Sequence, residues 1–248
     1  MFRDIGQMVI LAWRTFCALP HTFRHRRKVI DQFYEIGNAS LLMACILSGF
    51  IGGVLALQTG PVMVERGLSA VVGSVVGLSL CKELAPVMMS VLIAGRIGSA
   101  MVAEIGTMAV YQEIDALRTM NINPIHYLVL PRVLAISVAL PCLVVFSILV
   151  GWVGGGIVSS ANPDIAIPWQ TYFSSLSRVV NNFAIVNGLI KSFVFALMIG
   201  IVGCHQGLAT IGGPRGIGRS VTKSVVNSIV LILIVDYFLT RLLLRLDL

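Results

Sequence analysis

Charged side chains are scarce in this chain, so each one that falls inside an apolar run needs a chemical reason. Lys82-Glu83 stands at the start of one such run. Neighbouring helical residues point about 100° apart, so the two cannot both face one groove squarely. Either they serve a polar site within the membrane, or the span begins after Glu83 and the pair reaches back to the interface. Lys191 lies about two turns into another run and is apolar on both sides. An ammonium there either pairs with Glu83 or Asp236, or lines a polar cavity where an anionic headgroup would suit it. Asp236, mid-run near the C-terminus, reads as a structural partner for a lysine or a hydroxyl. Arg96, among Gly95, Gly98 and Ser99, is also given a structural role: it snorkels, or satisfies carbonyls and Glu104 where helices cross.

Nothing points to catalysis. There is no H-E-x-x-H, no G-x-S-x-G and no paired acidic metal site, and His21, His25, His126 and His205 are scattered. The segment Gly212-Gly213-Pro214-Arg215-Gly216-Ile217-Gly218-Arg219 is not a Walker A loop; it reads as a flexible, basic connection. Cys17, Cys45, Cys81, Cys142 and Cys204 are mutually distant and read as small buried hydrophobes. No catalytic residue, metal site or cofactor of its own is expected.

The elements that hold these charges are membrane helices. Of 248 residues 57% are hydrophobic and 12% charged, with mean hydropathy +0.92. A soluble domain is nearer a quarter charged. Spans need about 20 apolar residues, and five candidates appear at 37–57, 71–101, 133–158, 183–206 and 224–243. Before them, Phe2, Ile5, Val9, Ala12, Trp13 and Phe16 recur at helical spacing between polar residues, which predicts an interfacial amphipathic helix. Arg24, Arg26, Arg27 and Lys28 follow it as a tight basic cluster suited to a membrane surface, not to nucleic acid. The expected division is therefore an interfacial and basic segment, 1–36, and a five-span domain, 37–248. Basic residues concentrate before the first span and in loops 104–132 and 207–223, which predicts a cytoplasmic N-terminus and an outer C-terminus. In the outer loop 159–182, Trp169 and Tyr172 would suit an aromatic belt.

Between Thr107 and Met120 no Gly or Pro interrupts, and Val110, Ile114, Leu117 and Met120 form a stripe. A short amphipathic helix is expected there, stopped by Asn123-Pro124. It either rests on lipid or docks into a groove of a partner; composition leaves both open.

The stretch running Lys82-Glu83-Leu84-Ala85-Pro86-Val87, Ala94-Gly95-Arg96-Ile97-Gly98-Ser99-Ala100, Ala103-Glu104-Ile105-Gly106-Thr107-Met108, Gln112-Glu113-Ile114-Asp115-Ala116-Leu117, Asn123-Pro124 and Pro131-Arg132 resembles the MlaE/YrbE family of ABC-transporter permeases. Leu189-Ile190-Lys191-Ser192 and Gly216-Ile217-Gly218-Arg219 extend the likeness over nearly the whole chain. Lys82, Ala85 and Asn123 replace the family's commoner Arg, Gly and Asp. The resemblance implies an all-α integral membrane protein with five transmembrane helices, an N-terminal interfacial helix and a cytoplasmic coupling helix at about 107–120. It implies a phospholipid permease of the bacterial inner membrane, paired with a second permease chain as a homodimer. Its other implied partners are a cytoplasmic ABC ATPase dimer, which binds the ATP and Mg, and a ring of MCE-domain proteins on the outer face. Carried over residue by residue, Lys82, Glu83 and Lys191 belong to the lipid cavity, and Glu113, Ile114, Asp115 and Leu117 to the ATPase contact. The alternatives are a standalone channel or secondary carrier using Lys82, Glu83 and Lys191 as an ion path, and a scaffold without transport. The lack of a visible internal repeat weighs against a carrier built on inverted halves.

Overall fold

The computed structural model describes residues 2–18 and 26–245, with side chains from 6 to 18 and from 27 onward. The expected roles of Arg24, His21 and His25, and of the Phe2, Ile5 and Arg26 side chains, lie outside what is described. Among the described residues the secondary structure is helical, without strands. The helices are α1 (Phe2–Cys17), α2 (Arg26–Glu65), α3 (Val72–Ser79), α4 (Ala85–Ile93), α5 (Ser99–Val110), α6 (Glu113–Thr119), α7 (Leu130–Ala161), α8 (Trp169–Val179), α9 (Asn182–Leu208) and α10 (Gly213–Arg245). Widened π-turns at Leu80–Leu84, Ala94–Gly98 and Ile125–Val129 link α3 to α4, α4 to α5, and lead into α7. Five helical segments are long and apolar enough to cross a membrane: Arg27–Glu65, Ser69–Val110, Ile125–Ala161, Asn182–Leu208 and Gly213–Arg245. The chain is an all-α, multi-pass integral membrane protein.

Several boundaries differ from those expected. Helix α2 starts at Arg26, so residues 26–36 continue the first span instead of preceding it. At 40 residues it is about 60 Å long, twice the hydrocarbon thickness, so its charged first turns emerge from the membrane. Its other end runs to Glu65, beyond the span end expected at residue 57. The basic segment 212–219 is not a loose connection: α10 begins at Gly213. Gly212 and Gly213 take the left-handed conformation (φ 90° and 69°), and Pro214 follows in the first turn, where a missing N–H costs nothing.

The described residues form two units. One comprises Met1–Asn38, Ser90–Leu140 and Phe193–Val235; the other comprises Ala39–Met89, Pro141–Ser192 and Asp236–Leu248. In the first unit, α1 buries Leu11 and Thr15, with Ala18 just after it, and exposes Val9, Trp13 and Phe16. Helix α5 lies close to the end of α9: a Cβ on Gly207 would meet Ile105 at 2.8 Å, and one on Gly106 would meet Thr210 at 3.0 Å.

In the second unit the loop expected at 159–182 contains α8. Tyr172 and Leu176 on its inner face join Val72, Val76 and Leu80 in an apolar core. Ser74 donates to the Ser175 carbonyl at 2.8 Å. Tyr172 is thus fully buried and does not join an aromatic belt, while Trp169 stays exposed. Burial raises the Tyr172 phenol above its ordinary pKa. Of the cysteines, Cys81 and Cys204 are buried, but Cys17 and Cys142 are exposed.

Helices α2 and α7 meet in this unit through glycines. A Cβ on Gly52 would collide with the Gly151 carbonyl, and one on Gly154 with the Gly49 carbonyl. Close backbone approach is the way helices associate where lipid removes the hydrophobic drive. At Gly49, one turn earlier, a Cβ meets only Val150 at an ordinary 3.6 Å. Gly52→Ala is therefore expected to lower the melting temperature of the purified protein clearly, and Gly49→Ala to leave it unchanged. Equal effects would contradict this packing.

Candidate functional site

The intramembrane charges converge within the second unit. Lys191 on α9 is 1% exposed. Its Nζ lies 2.8 Å from Glu83 Oε2 and 3.0 Å from Asp236 Oδ1, and it donates to Thr240 Oγ1 at 2.7 Å. The Asp236 contact is an ion pair without hydrogen-bond alignment. Thr240 Oγ1 in turn lies 3.2 Å from Glu83 Oε1 and 2.8 Å from the Asp236 carbonyl, so its single proton serves one of them at a time. An ammonium has three N–H donors and no acceptor, and here three oxygens surround it. The cluster opens on its carboxylate side: the Glu83 side chain is 41% exposed and that of Asp236 20%.

Local sequence explains the convergence. The turn Leu80–Leu84 is widened, with the Ala85 N–H bonded back to the Leu80 carbonyl, and Pro86 follows with no N–H to give. The Cys81 carbonyl faces α9 at Gly188, where a Cβ would collide with it. Gly188 and Lys191 are three residues apart and share a helix face, so this approach brings the ammonium to the Glu83 level. On α10, Asp236 and Thr240 are four apart and present both oxygens to it.

Lys82 does not join them. It is half-buried in a separate hollow of about 390 Å³, with Leu78, Asn181, Phe183 and Leu244. Thr240 is the residue that sequence reasoning missed; its spacing from Asp236 was the available signal.

The first unit holds the short helix. The single helix expected at 107–120 is two elements, because the chain turns at Tyr111-Gln112, with Gln112 left-handed at φ 61°. The Gln112 carbonyl accepts from Ala116 N at 3.0 Å and so starts α6. This turn buries Ile114 and leaves Leu117 half-buried, while Glu113, Asp115, Tyr111 and Met120 are exposed. Arg118 pairs with Asp115 at 3.0 Å, with both side chains about two-thirds exposed (65% and 67%). Asn121, at φ 60°, ends the excursion, and Asn123 Oδ1 accepts from Ile125 N at 3.0 Å, as the family's aspartate could. Arg96 is exposed on its π-turn, and the ion partner of Glu104 is Arg132 Nη2, at 2.8 Å.

The sequence matches the family model described as Permease MlaE over residues 29–242. The chain belongs to the MlaE permease family. It is 40% identical over 245 residues to a probable ABC transporter permease protein of Synechocystis sp., covering 97% of this chain and 91% of that protein. It is 37% identical over 240 residues to a protein of the same description from Rickettsia bellii, covering 97% and 92%. It is also 37% identical over 216 residues to the chloroplastic protein TRIGALACTOSYLDIACYLGLYCEROL 1 of Arabidopsis thaliana, covering 87% of this chain and 61% of that one. Membership of an ABC-transporter permease family implies an ATPase partner for this permease.

Removing one member of a buried ion pair costs about 3–5 kcal/mol, and the open Glu83 side places this cluster at the lower end. Lys191→Ala is expected to lower unfolding stability in detergent by about that amount. Thr240→Val, which strands one donor of the ammonium, is expected to cost about 1–3 kcal/mol. Thermal melts that match the parent for both variants would remove the cluster's structural importance.

Proposed function

We propose that this chain is the permease subunit of an ATP-driven transporter that moves phospholipid between a bacterial inner membrane and a conduit of MCE-domain proteins in the envelope. The carrying observation is the Lys191 cluster: a partnered ammonium whose carboxylate side is open, in a unit whose buried side chains are mainly apolar. Sites for amphiphiles pair apolar walls with a few placed polar groups. In the same unit, α2 and α7 line an apolar hollow of about 480 Å³ with Ile46, Phe50, Val54, Leu57 and Ile157. Two copies of a five-span chain enclose a cavity that one copy leaves open. The name of the Arabidopsis relative, which contains that of a galactolipid, agrees with a lipid cargo.

In this reading Glu83, Lys191 and Asp236 form the polar patch at the headgroup level. Because two carboxylates already engage Lys191, the open face of the cluster is anionic, and Glu83 meets the amine end of a zwitterionic headgroup and not its phosphate. Lys82 lies apart in its own hollow and is a second, separate polar contact. The N-terminus is cytoplasmic and the C-terminus periplasmic. Helix α6 faces the ATPase dimer, which holds the ATP and Mg, and offers Glu113 and Asp115 beside Tyr111 and Met120. A channel or carrier without an ATPase fits poorly with membership of an ABC permease family.

The test is association and transport. Glu113→Lys is expected to reduce co-purification of the ATPase by at least about tenfold, equivalent to about 1.4 kcal/mol. The parent complex in liposomes is expected to transfer labelled phospholipid only with ATP. Retention of the ATPase by the variant would remove α6 from the contact. Transfer without ATP would contradict the transport reading.

A further inference from the structure

We propose that the Glu104–Arg132 ion pair is a strut that makes the α6 excursion a rigid lever, so that it transmits motion from the partner instead of holding the partner on. The proposal rests on the reading that α6 is the ATPase contact. Glu104 lies in α5, before the excursion leaves the helix, and Arg132 lies in α7, after it returns. Their side chains meet at 2.8 Å although they are 28 residues apart in sequence. The pair therefore closes the base of everything between them.

Burial distinguishes this pair from the other ion pair of the excursion. Asp115–Arg118 is local, three residues apart and mostly exposed (67% and 65%). Such pairs contribute little. The Arg132 side chain is only 12% exposed, against 52% for Glu104. Its Nε is buried without a hydrogen-bond partner, and Nη1 lies 3.5 Å from the Leu128 carbonyl. A guanidinium so desolvated depends on its one carboxylate, whereas an exposed arginine would exchange it for water.

Each end of the strut is anchored. Glu104 stands beside Ile105 and Gly106, where α5 touches Gly207 of α9 and Thr210 just beyond its end. Arg132 follows the π-turn Ile125–Val129. In that turn the Tyr127 ring lies under Lys28 of α2, with Nζ 3.1 Å from its centroid. A push on α6 thus has two outlets in this unit: α5 through Glu104, and the start of the first span through Tyr127 and Lys28. Without the strut, the left-handed residues Gln112 and Asn121 are two places where the excursion can fold without moving either.

The experiment uses the full complex in vesicles of phosphatidylethanolamine and phosphatidylglycerol, with a fluorescent phospholipid as probe. Glu104→Gln and Arg132→Gln are expected to keep the ATPase bound and hydrolysing. Phospholipid moved per ATP is expected to fall by about tenfold, the scale of a typical coupling between sites. The exchanged pair, Glu104→Arg with Arg132→Glu, is expected to recover most of that loss. Arg132→Lys, which keeps the charge without the fork, is expected to fall between. A parental ratio in the single variants, loss of the ATPase from them, or no recovery in the exchanged pair would each overturn the strut. Hydrogen exchange of amides 107–124 in the isolated chain reads the strut without any partner. Faster exchange in Glu104→Gln, reversed in the exchanged pair, is expected, and unchanged exchange overturns the proposal. A parent that carries no ATPase would instead overturn the reading of α6.

Discussion

An ammonium group is not stable in hydrocarbon unless oxygen atoms replace its water, and Lys191 imposes that condition on three helices at once. Its partners come from the widened turn after α3, which carries Glu83, and from α10, which carries Asp236 and Thr240. The condition explains features that look unrelated along the chain. Pro86 and the π-turn rotate Glu83 toward α9, Gly188 lets α9 come close, and the four-residue spacing on α10 delivers two oxygens to one face. A fully apolar arrangement of the same volume would be no less stable by general experience with buried ion pairs. In the proposed transporter the open carboxylate side is the cluster's working face.

The two units divide the chemistry. The second holds the charge cluster, the apolar hollow beside α2 and the core sealed by α8. The first holds the excursion through α6, the N-terminal helix α1 and the Glu104–Arg132 pair. In the proposed transporter these are the cargo side and the energy side. All five spans contribute residues to both units.

Much of the fold was legible because lipid imposes a simple rule: long apolar runs must be helices. The five spans follow from composition alone. The pairing of Lys191 with Glu83 and Asp236 was legible as one of two options, since buried charge seeks countercharge; choosing between them needed the register of α9 against the turn after α3. Other features left a weaker trace. The break at Gln112 has no Gly or Pro to announce it and is driven by burial of Ile114. Tyr172 reads as an interfacial aromatic, yet it is enclosed once α8 folds over Val72 and Val76. The glycine-rich start of α10 reads as a loop, because left-handed glycines followed by proline serve equally well to start a helix.

Native mass spectrometry of the complex purified gently through this chain tests the central claim most directly. The account predicts two copies of the permease with two ATPase chains, together with an outer MCE-protein assembly and bound phospholipid. A lone chain or a homo-oligomer, free of any ATPase across several detergents, would contradict it.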